Sequence, residues 1–317
     1  MWRVRESCMN TLFDIIGDVH GFSTPLETAL KRLGYVEQNG VYAHPQGRKV
    51  CFLGDFIDRG PDQKRVLEIV RNMMDAGHAV SIMGNHEFNA ICYATQLDDG
   101  SYVRPHNASN YNHHEAFLKE YPFGSDEHKD IINWFKTLPV YIENDGFAAI
   151  HACWDEQNLK SLAPMLNADN TLVDDAYLIY ADKDSQTHKS IECLMKGPEV
   201  DLPNGFFYRS ADGSKRNSAR IKWWNDLSDP LSGNLFIPRK QLDLSTKAEL
   251  DKMTLSRVFN GHAADKPVFI GHYWMQGTPR LLGDNVACLD YSVIHTNVQV
   301  AYRFSGEKAL SAQNFVY

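Results

Sequence analysis

One pattern constrains this chain more than any other: a short apolar run that stops abruptly at a polar residue, in most cases through a glycine. It occurs at Phe13-Asp14-Ile15-Ile16-Gly17-Asp18, Val50-Cys51-Phe52-Leu53-Gly54-Asp55 and Val80-Ser81-Ile82-Met83-Gly84-Asn85. It returns at Phe147-Ala148-Ala149-Ile150-His151 and Pro267-Val268-Phe269-Ile270-Gly271-His272. Short apolar runs bounded by turn residues read as strands buried on both faces. The segments between the first three have helical character. Residues 24–34 open on Thr24-Pro25, with proline where a first turn tolerates it, and 61–76 open on Pro61-Asp62 before Val66, Leu67, Ile69 and Val70. Strands alternating with helices make βαβ units, whose functional groups gather past the carboxyl ends of the strands. Asp18, Asp55, Asn85, His151 and His272 all fall there, five metal-competent side chains on one edge. Glycine before four of them suits a chain that leaves a strand sharply and must let ions or phosphate come close.

Two later runs, Val286–Tyr291 and Val298–Tyr302, read as further strands forming a closing hairpin. Residues 157–265 are more polar, with turn signals at Leu202-Pro203-Asn204-Gly205 and Asp212-Gly213. They read as a long insertion or cap within a single domain over 9–317. Residues 1–8 read as an irregular extension, or as a start site misassigned ahead of Met9. The formal charge of −8 gives no global basic field for nucleic acid. No stretch of about 18 apolar residues provides a membrane span. Six dispersed cysteines, none in a CxxC pair, read as buried thiols of a reducing compartment, and so place the chain in the cytoplasm.

Four motifs carry the chemistry: Gly17-Asp18-Val19-His20-Gly21, Gly54-Asp55-Phe56-Ile57-Asp58-Arg59-Gly60, Gly84-Asn85-His86-Glu87, and the separate histidines His151 and His272. In this order they resemble the calcineurin-like metallophosphoesterases, in particular the phosphoprotein phosphatase branch with its bacterial and phage members. The resemblance covers roughly the first 155 residues and the stretch 266–291. It implies a four-layer α/β/β/α sandwich with mixed sheets, and a hydrolase that cleaves phosphomonoesters, phosphoserine, phosphothreonine or phosphotyrosine proteins above all. Water bridging two metal ions would be the nucleophile. Two divalent ions roughly 3.5–4 Å apart acidify a water and clamp the phosphoryl oxygens.

By the same resemblance Asp18 and His20 hold one ion, Asp55 bridges, and Asn85, His151 and His272 complete the second site. Carboxylate, amide and imidazole donors together suit manganese, iron or zinc. His86 is implied to protonate the leaving oxygen, with Asp58 orienting its imidazole. Arg59 has the fork that binds two phosphate oxygens, and Arg220 is the preferred second arginine. Glu87 reads as a residue steadying the loop.

Plainer readings compete at several positions. His262, after Gly261, rivals His272 but follows no clean apolar run. His113-His114, with His106 and His128 nearby, read as a solvated helix start in preference to a surface metal trap. Trp223-Trp224 and Phe206-Phe207-Tyr208 read as core or cap packing in preference to a base-stacking platform. Lys215-Arg216 and Arg220-Lys222 read as a solvated hairpin that could attract anions. Two other functions stay in play: a diadenosine polyphosphate or nucleotide hydrolase on the same scaffold, and a non-catalytic phosphate-binding scaffold. The first commonly lacks the Asp-Arg-Gly form and carries Asp after Asn-His, whereas Asp58 and Glu87 stand here in the phosphatase form. The second predicts a damaged ligand set, and the set is intact.

Overall fold

In the computed structural model, which describes residues 12–202, 206–209, 215–225, 230–237, 250–252, 266–283 and 285–317, each of the five apolar runs contains a strand. The chain opens with β1 (Phe13–Ile16), α1 (Ser23–Leu33), the small hairpin β2 (Val36–Gln38) and β3 (Val41–Ala43), and β4 (Lys49–Phe52). It continues through α2 (Gln63–Asp75), β5 (Ala79–Ser81), α3 (Asn85–Ala94), α4 (Ala108–Glu120) and α5 (Asp126–Phe135). The hairpin β6 (Tyr141–Glu143) and β7 (Ala148–Ile150) follows, then α6 (Glu156–Leu162), α7 (Asp174–Tyr180) and α8 (Gln186–Lys196). Short strands come next: β8 (Glu199–Asp201), β9 (Tyr208–Arg209), β10 (Lys215–Arg216), β11 (Ser218–Ile221) and β12 (Leu235–Phe236). The chain ends on β13 (Val268–Ile270), β14 (Val286–Cys288), β15 (Ala301–Phe304) and β16 (Phe315–Val316).

Local sequence explains the first helices. In α1, Leu26, Ala29, Leu30 and Leu33 form one buried stripe at helical spacing, and Gly34 closes the helix at φ 92°. In α2 the buried stripe is Val66, Leu67, Ile69, Val70 and Met73.

Two mixed sheets form the centre. One runs β16-β15-β1-β4-β5, with β1, β4 and β5 parallel and β15 antiparallel to β1. The other runs β14-β13-β7-β6, with β7, β13 and β14 parallel. Aromatic rings join their facing sides: Phe147 meets Phe13 at 5.3 Å and Phe304 at 5.4 Å, and Phe269 meets Tyr302 at 5.1 Å. The five polar strand ends therefore lie on the edges of two sheets, three on the first and two on the second, and not on a single edge.

Two expectations need correction. The closing hairpin does not form, because β14 pairs parallel with β13 while β15 pairs with β1 and β16 in the other sheet. The polar stretch from residue 157 is also less irregular than its composition suggests. Its first 40 or so residues fold into helices that bury Leu162, Ala176, Tyr177, Ile191, Cys193, Leu194 and Met195 in the main core. Farther on, β12-β11-β8 form a separate small sheet over its own cluster of Leu202, Ala219, Ile221, Leu231, Leu235 and Leu250. Trp223 is 1% exposed and donates from Nε1 to the Ala152 carbonyl at 3.0 Å, so it is packing and not a platform. Trp224 packs edge-on against Tyr273, with ring centroids 4.8 Å apart. Residues 1–8, Pro203–Gly205, Asp212-Gly213 and His262 lie outside the described residues. Among the described residues no helix is long and apolar enough to cross a membrane, and all five described cysteines are buried free thiols.

Candidate active site

The loops after β1, β4 and β5 are laced together by backbone bonds. The amides of Val19 and His20 donate to the Asp55 carbonyl at 2.9 and 2.8 Å, and Gly21 N–H donates to Phe56 O at 2.7 Å. Gly54, at φ 85°, lies against Gly84 so closely that a Cβ on either would collide with the backbone of the other loop. Here the close approach and, at Gly54, the left-handed angle both require glycine. Candidate site residues themselves also occupy that region: His20 at φ 50°, Asp55 at 52°, Asp58 at 71°, Arg59 at 72° and His272 at 69°. Strain held on such residues is sustained only where the surroundings over-determine it. Glu87 supplies part of that constraint. Its fully buried carboxylate accepts from the amides of Asp55 (2.8 Å), Phe56 (2.8 Å) and Gly84 (3.0 Å).

Asp18, His20, Asp55, Asn85, His151 and His272 come together where these loops meet the ends of β7 and β13. The His20 Nδ1 donates to Ile57 O at 3.1 Å, which leaves Nε2 3.9 Å from Asp18 Oδ2 and 3.8 Å from Asp55 Oδ2. His151 Nδ1 donates to Leu53 O at 2.7 Å, which turns its Nε2 toward Asp55 Oδ2 at 3.3 Å and Asn85 Oδ1 at 3.1 Å, and the Asp55 charge outweighs burial to raise the pKa of the ring. His272 Nδ1 lies 2.7 Å from the same Asn85 oxygen. Asp55 belongs to both clusters of ligand atoms with metal-like spacing, with His20 and His86 on one side and with His151 and His272 on the other.

Carboxylate, amide and imidazole atoms crowd together here, and among the described residues the Nε2 atoms of His20 and His272 are buried without a partner. Burial, aided by the charge of His86, pulls His20 down to about 4. Burial and the Arg220 guanidinium hold His272 well below its usual range, so both imidazoles are neutral donors of a lone pair. Burial also raises Asp18 well above the usual carboxyl range, reinforced by the charges of Asp290 and Asp55. Burial works against ionisation of Asp55, but His151 and His86 outweigh it and hold its carboxyl well below that range. Neutral imidazoles oriented from behind, an amide oxygen and crowded carboxylates are the donor set that a pair of divalent cations satisfies.

His86 sits at the start of α3, where its amide donates to Asp55 Oδ1 at 2.8 Å. Its Nδ1 lies 2.6 Å from Asp58 Oδ2, leaving Nε2 toward the cavity. The other Asp58 oxygen, Oδ1, is 2.8 Å from Nδ1 of His114. This overturns the reading of a solvated helix start for His114, while His113 is exposed. His114 is 4% exposed, and its carboxylate partner comes from 56 positions earlier in the chain. His106 and His128 are likewise packed and not a surface trap. His106 stacks between Tyr93 and Tyr102 at 3.8 and 3.9 Å, and His128 is buried beside Phe123.

The sequence reading also missed Gln63 and Asp290. Gln63 accepts from Asp58 N at 2.8 Å and donates to Gly60 O at 2.6 Å. Asp290 accepts from Trp274 N at 2.8 Å and Ser292 N at 2.9 Å, directly behind the Asp18 loop. A signal for Asp290 existed, because it ends the run Val286–Leu289 as the other polar residues end theirs.

The site opens into a cavity of about 510 Å³. Its lining combines Asp55, Arg59, Asn85, His86 and His272 with Tyr208, Arg216, Arg220 and Phe236 from the later strands. The Arg59 guanidinium sits 5.3 Å over the ring of Trp274. Arg220 is held by the Lys196 carbonyl at 2.7 Å and by Glu199 at 3.8 Å.

A family model described as calcineurin-like phosphoesterase matches residues 11–264. An asymmetrical bis(5'-nucleosyl)-tetraphosphatase, PrpE, from Anoxybacillus flavithermus is 44% identical over 75 residues, 24% of this chain and 31% of that protein. Its counterpart from Oceanobacillus iheyensis is 47% identical over 73 residues, 23% of this chain and 29% of that protein. The chain thus spans less than a third of the length of these curated relatives. A protein serine/threonine phosphatase from Saccharomyces cerevisiae superposes with a TM-score of 0.50 at 14% identity, over 98% of this chain and 80% of that one, a likeness of fold.

Proposed function

We propose, from the premise that this chain belongs to the calcineurin-like phosphoesterase family, that it hydrolyses phosphate esters at the edge where its two sheets meet. The observation that carries the reading is Asp55, shared by two clusters of ligand atoms, with the His86–Asp58 pair at 2.6 Å beside it. Asp18, His20 and Asp55 would hold one divalent ion, and Asp55, Asn85, His151 and His272 the other. When bound, the two ions supply an acidified water and compensation for phosphoryl charge. Arg59 and Arg220, which both line the cavity, grip the remaining phosphate oxygens. Residues of the 157–265 stretch build the wall through which substrate arrives.

Water adds its oxygen to phosphorus as the bond from phosphorus to the leaving oxygen breaks, and the electron pair of that bond stays with the leaving oxygen. His86 Nε2 gives that oxygen a proton, so an alcohol departs and inorganic phosphate remains. Burial opposes protonation of His86, but the Asp55 charge and the Asp58 hydrogen bond raise its pKa overall, which favours the acid form.

Phosphomonoesters, phosphoproteins foremost, are the substrate class, on the strength of the Asp58-Arg59-Gly60 and Asn85-His86-Glu87 forms. A second reading, dinucleoside polyphosphates, is favoured by the names of the two relatives and by the aromatic and basic far wall of the cavity. The test pairs manganese-loaded wild type with His86→Asn on a phosphoserine peptide, phenyl phosphate and diadenosine tetraphosphate. The monoesters should be cleaved, with His86→Asn slower by about 10²-fold or more. Preference for the dinucleotide by orders of magnitude moves the assignment to the second reading, and equal rates in the two proteins remove His86 from the mechanism.

A further inference from the structure

Asp58 is the point where the proposed acid could lose its geometry. It lies in the left-handed region at φ 71°, in a loop between β4 and α2, and a carboxylate's terminal torsion is broad. A single hydrogen bond to His86 would leave that carboxylate free to swing. The structure holds it from three sides: Gln63 Oε1 accepts from its amide at 2.8 Å, His86 meets Oδ2 at 2.6 Å, and His114 meets Oδ1 at 2.8 Å.

His114 is built for this contact and for nothing else nearby. Its ring stacks on Phe117 at 4.8 Å and 26°, and it lies 5.3 Å from Tyr93, both residues of packed helices. Among the described residues its Nε2 is buried with no partner, and its one polar contact there is with Asp58. The cost of burying an unpaired ring nitrogen makes an imidazole a poor choice at this position for packing alone.

We infer that His114 is a positioning residue of the reaction: from α4 it clamps the Asp58 carboxylate, and Asp58 in turn fixes the ring of His86 facing the leaving oxygen. The inference rests on the reading of His86 as the acid. It also predicts where a defect must appear. A misplaced acid matters when the leaving oxygen needs a proton and matters little when the leaving group departs readily as an anion.

The experiment uses the full chain with manganese and two substrates, phenyl phosphate with its poor leaving group and 4-nitrophenyl phosphate with its good one. The apolar replacements are His114→Phe, which keeps the stacked ring, and the smaller His114→Leu should the first not fold. His114→Asn restores an N–H close to the Nδ1 position. The apolar variant should lose about tenfold in kcat on phenyl phosphate and no more than about twofold on 4-nitrophenyl phosphate, with His114→Asn recovering most of the difference. In a His86→Asn background the same replacement should change neither rate by more than about twofold. Equal losses on both substrates, or a full further loss in the His86→Asn background, overturn the clamp and leave His86 untouched. If His86→Asn itself shows no leaving-group dependence, the acid assignment falls, and the role of His114 falls with it.

Discussion

On one side of the cavity, six candidate ligands are carried by loops that bond to each other's backbones, and Glu87 stitches three amides of two of those loops together. Elsewhere in the lining, Arg220 and Phe236 sit on the small β12-β11-β8 sheet, whose apolar cluster is separate from the main core, and Tyr208 sits on the β9–β10 pair. The first side has five strand ends and buried carboxylates to hold it in place. The second is anchored at a few points, Trp223 Nε1 on Ala152 O and Arg220 on Lys196 O among them. Reaction geometry needs tolerances of tenths of an ångström, while a wall that admits different substrates does not. On the function proposed above, the chemistry belongs to the first region and selectivity to the second.

The largest effect should come from the side that holds the chemistry. Asp55→Asn keeps the side-chain oxygen that accepts from His86 N–H at 2.8 Å but removes the charge shared by both ligand clusters. Steady-state assays on an aryl phosphate with manganese should show kcat/KM reduced by about 10³-fold or more. Chelation should silence wild type in the same assay, with activity returning on added manganese. Retention of most activity by Asp55→Asn would break the comparison, because the shared carboxylate would then not be its centre.

An intermediate effect should come from the far wall. Arg220→Ala removes one guanidinium from a cavity that Arg59 also lines. On phenyl phosphate KM should rise about tenfold while kcat stays within about twofold, as for a group that binds ground and transition states alike. A fall in kcat with no change in KM would place Arg220 among the groups that act on the transition state and erase the division between the two sides.

The two sides also differ in how far the sequence discloses them. Asp18, Asp55, Asn85, His151 and His272 each lie within four residues of the end of a strand, so a local rule, apolar run then polar residue, finds them without any knowledge of the fold. The sheets to which those strands belong are not local information. Val286–Leu289 and Val298–Tyr302 look like neighbours along the chain, but β14 and β15 join different sheets. His114 escaped for the same reason. Its helix shows an exposed, polar face around it, and the Asp58 carboxylate that makes it significant arrives only by tertiary packing. The far wall is the extreme case, since Arg220 enters the cavity through the pairing of β11 with β8 and β12, which no spacing in the sequence announces.

The smallest catalytic effect, and the sharpest view of the division, should come from Ile221→Ala. Ile221 is fully buried in the small cluster, at the end of β11, and its amide donates to Pro198 O at 2.8 Å. Truncation removes packing worth about 2–4 kcal/mol at a well-filled site. If the small sheet opens as its own unit, hydrogen exchange should accelerate in β8, β11 and β12 while the amides of β1, β4 and β5 keep their protection. The rate constant on phenyl phosphate should then stay within about twofold of wild type, because the candidate ligands, His86, Asp58 and His114 are all carried by other elements of the chain. Uniform loss of protection across both regions would mean that the wall and the metal edge unfold together, and the separate clusters would then have no energetic meaning.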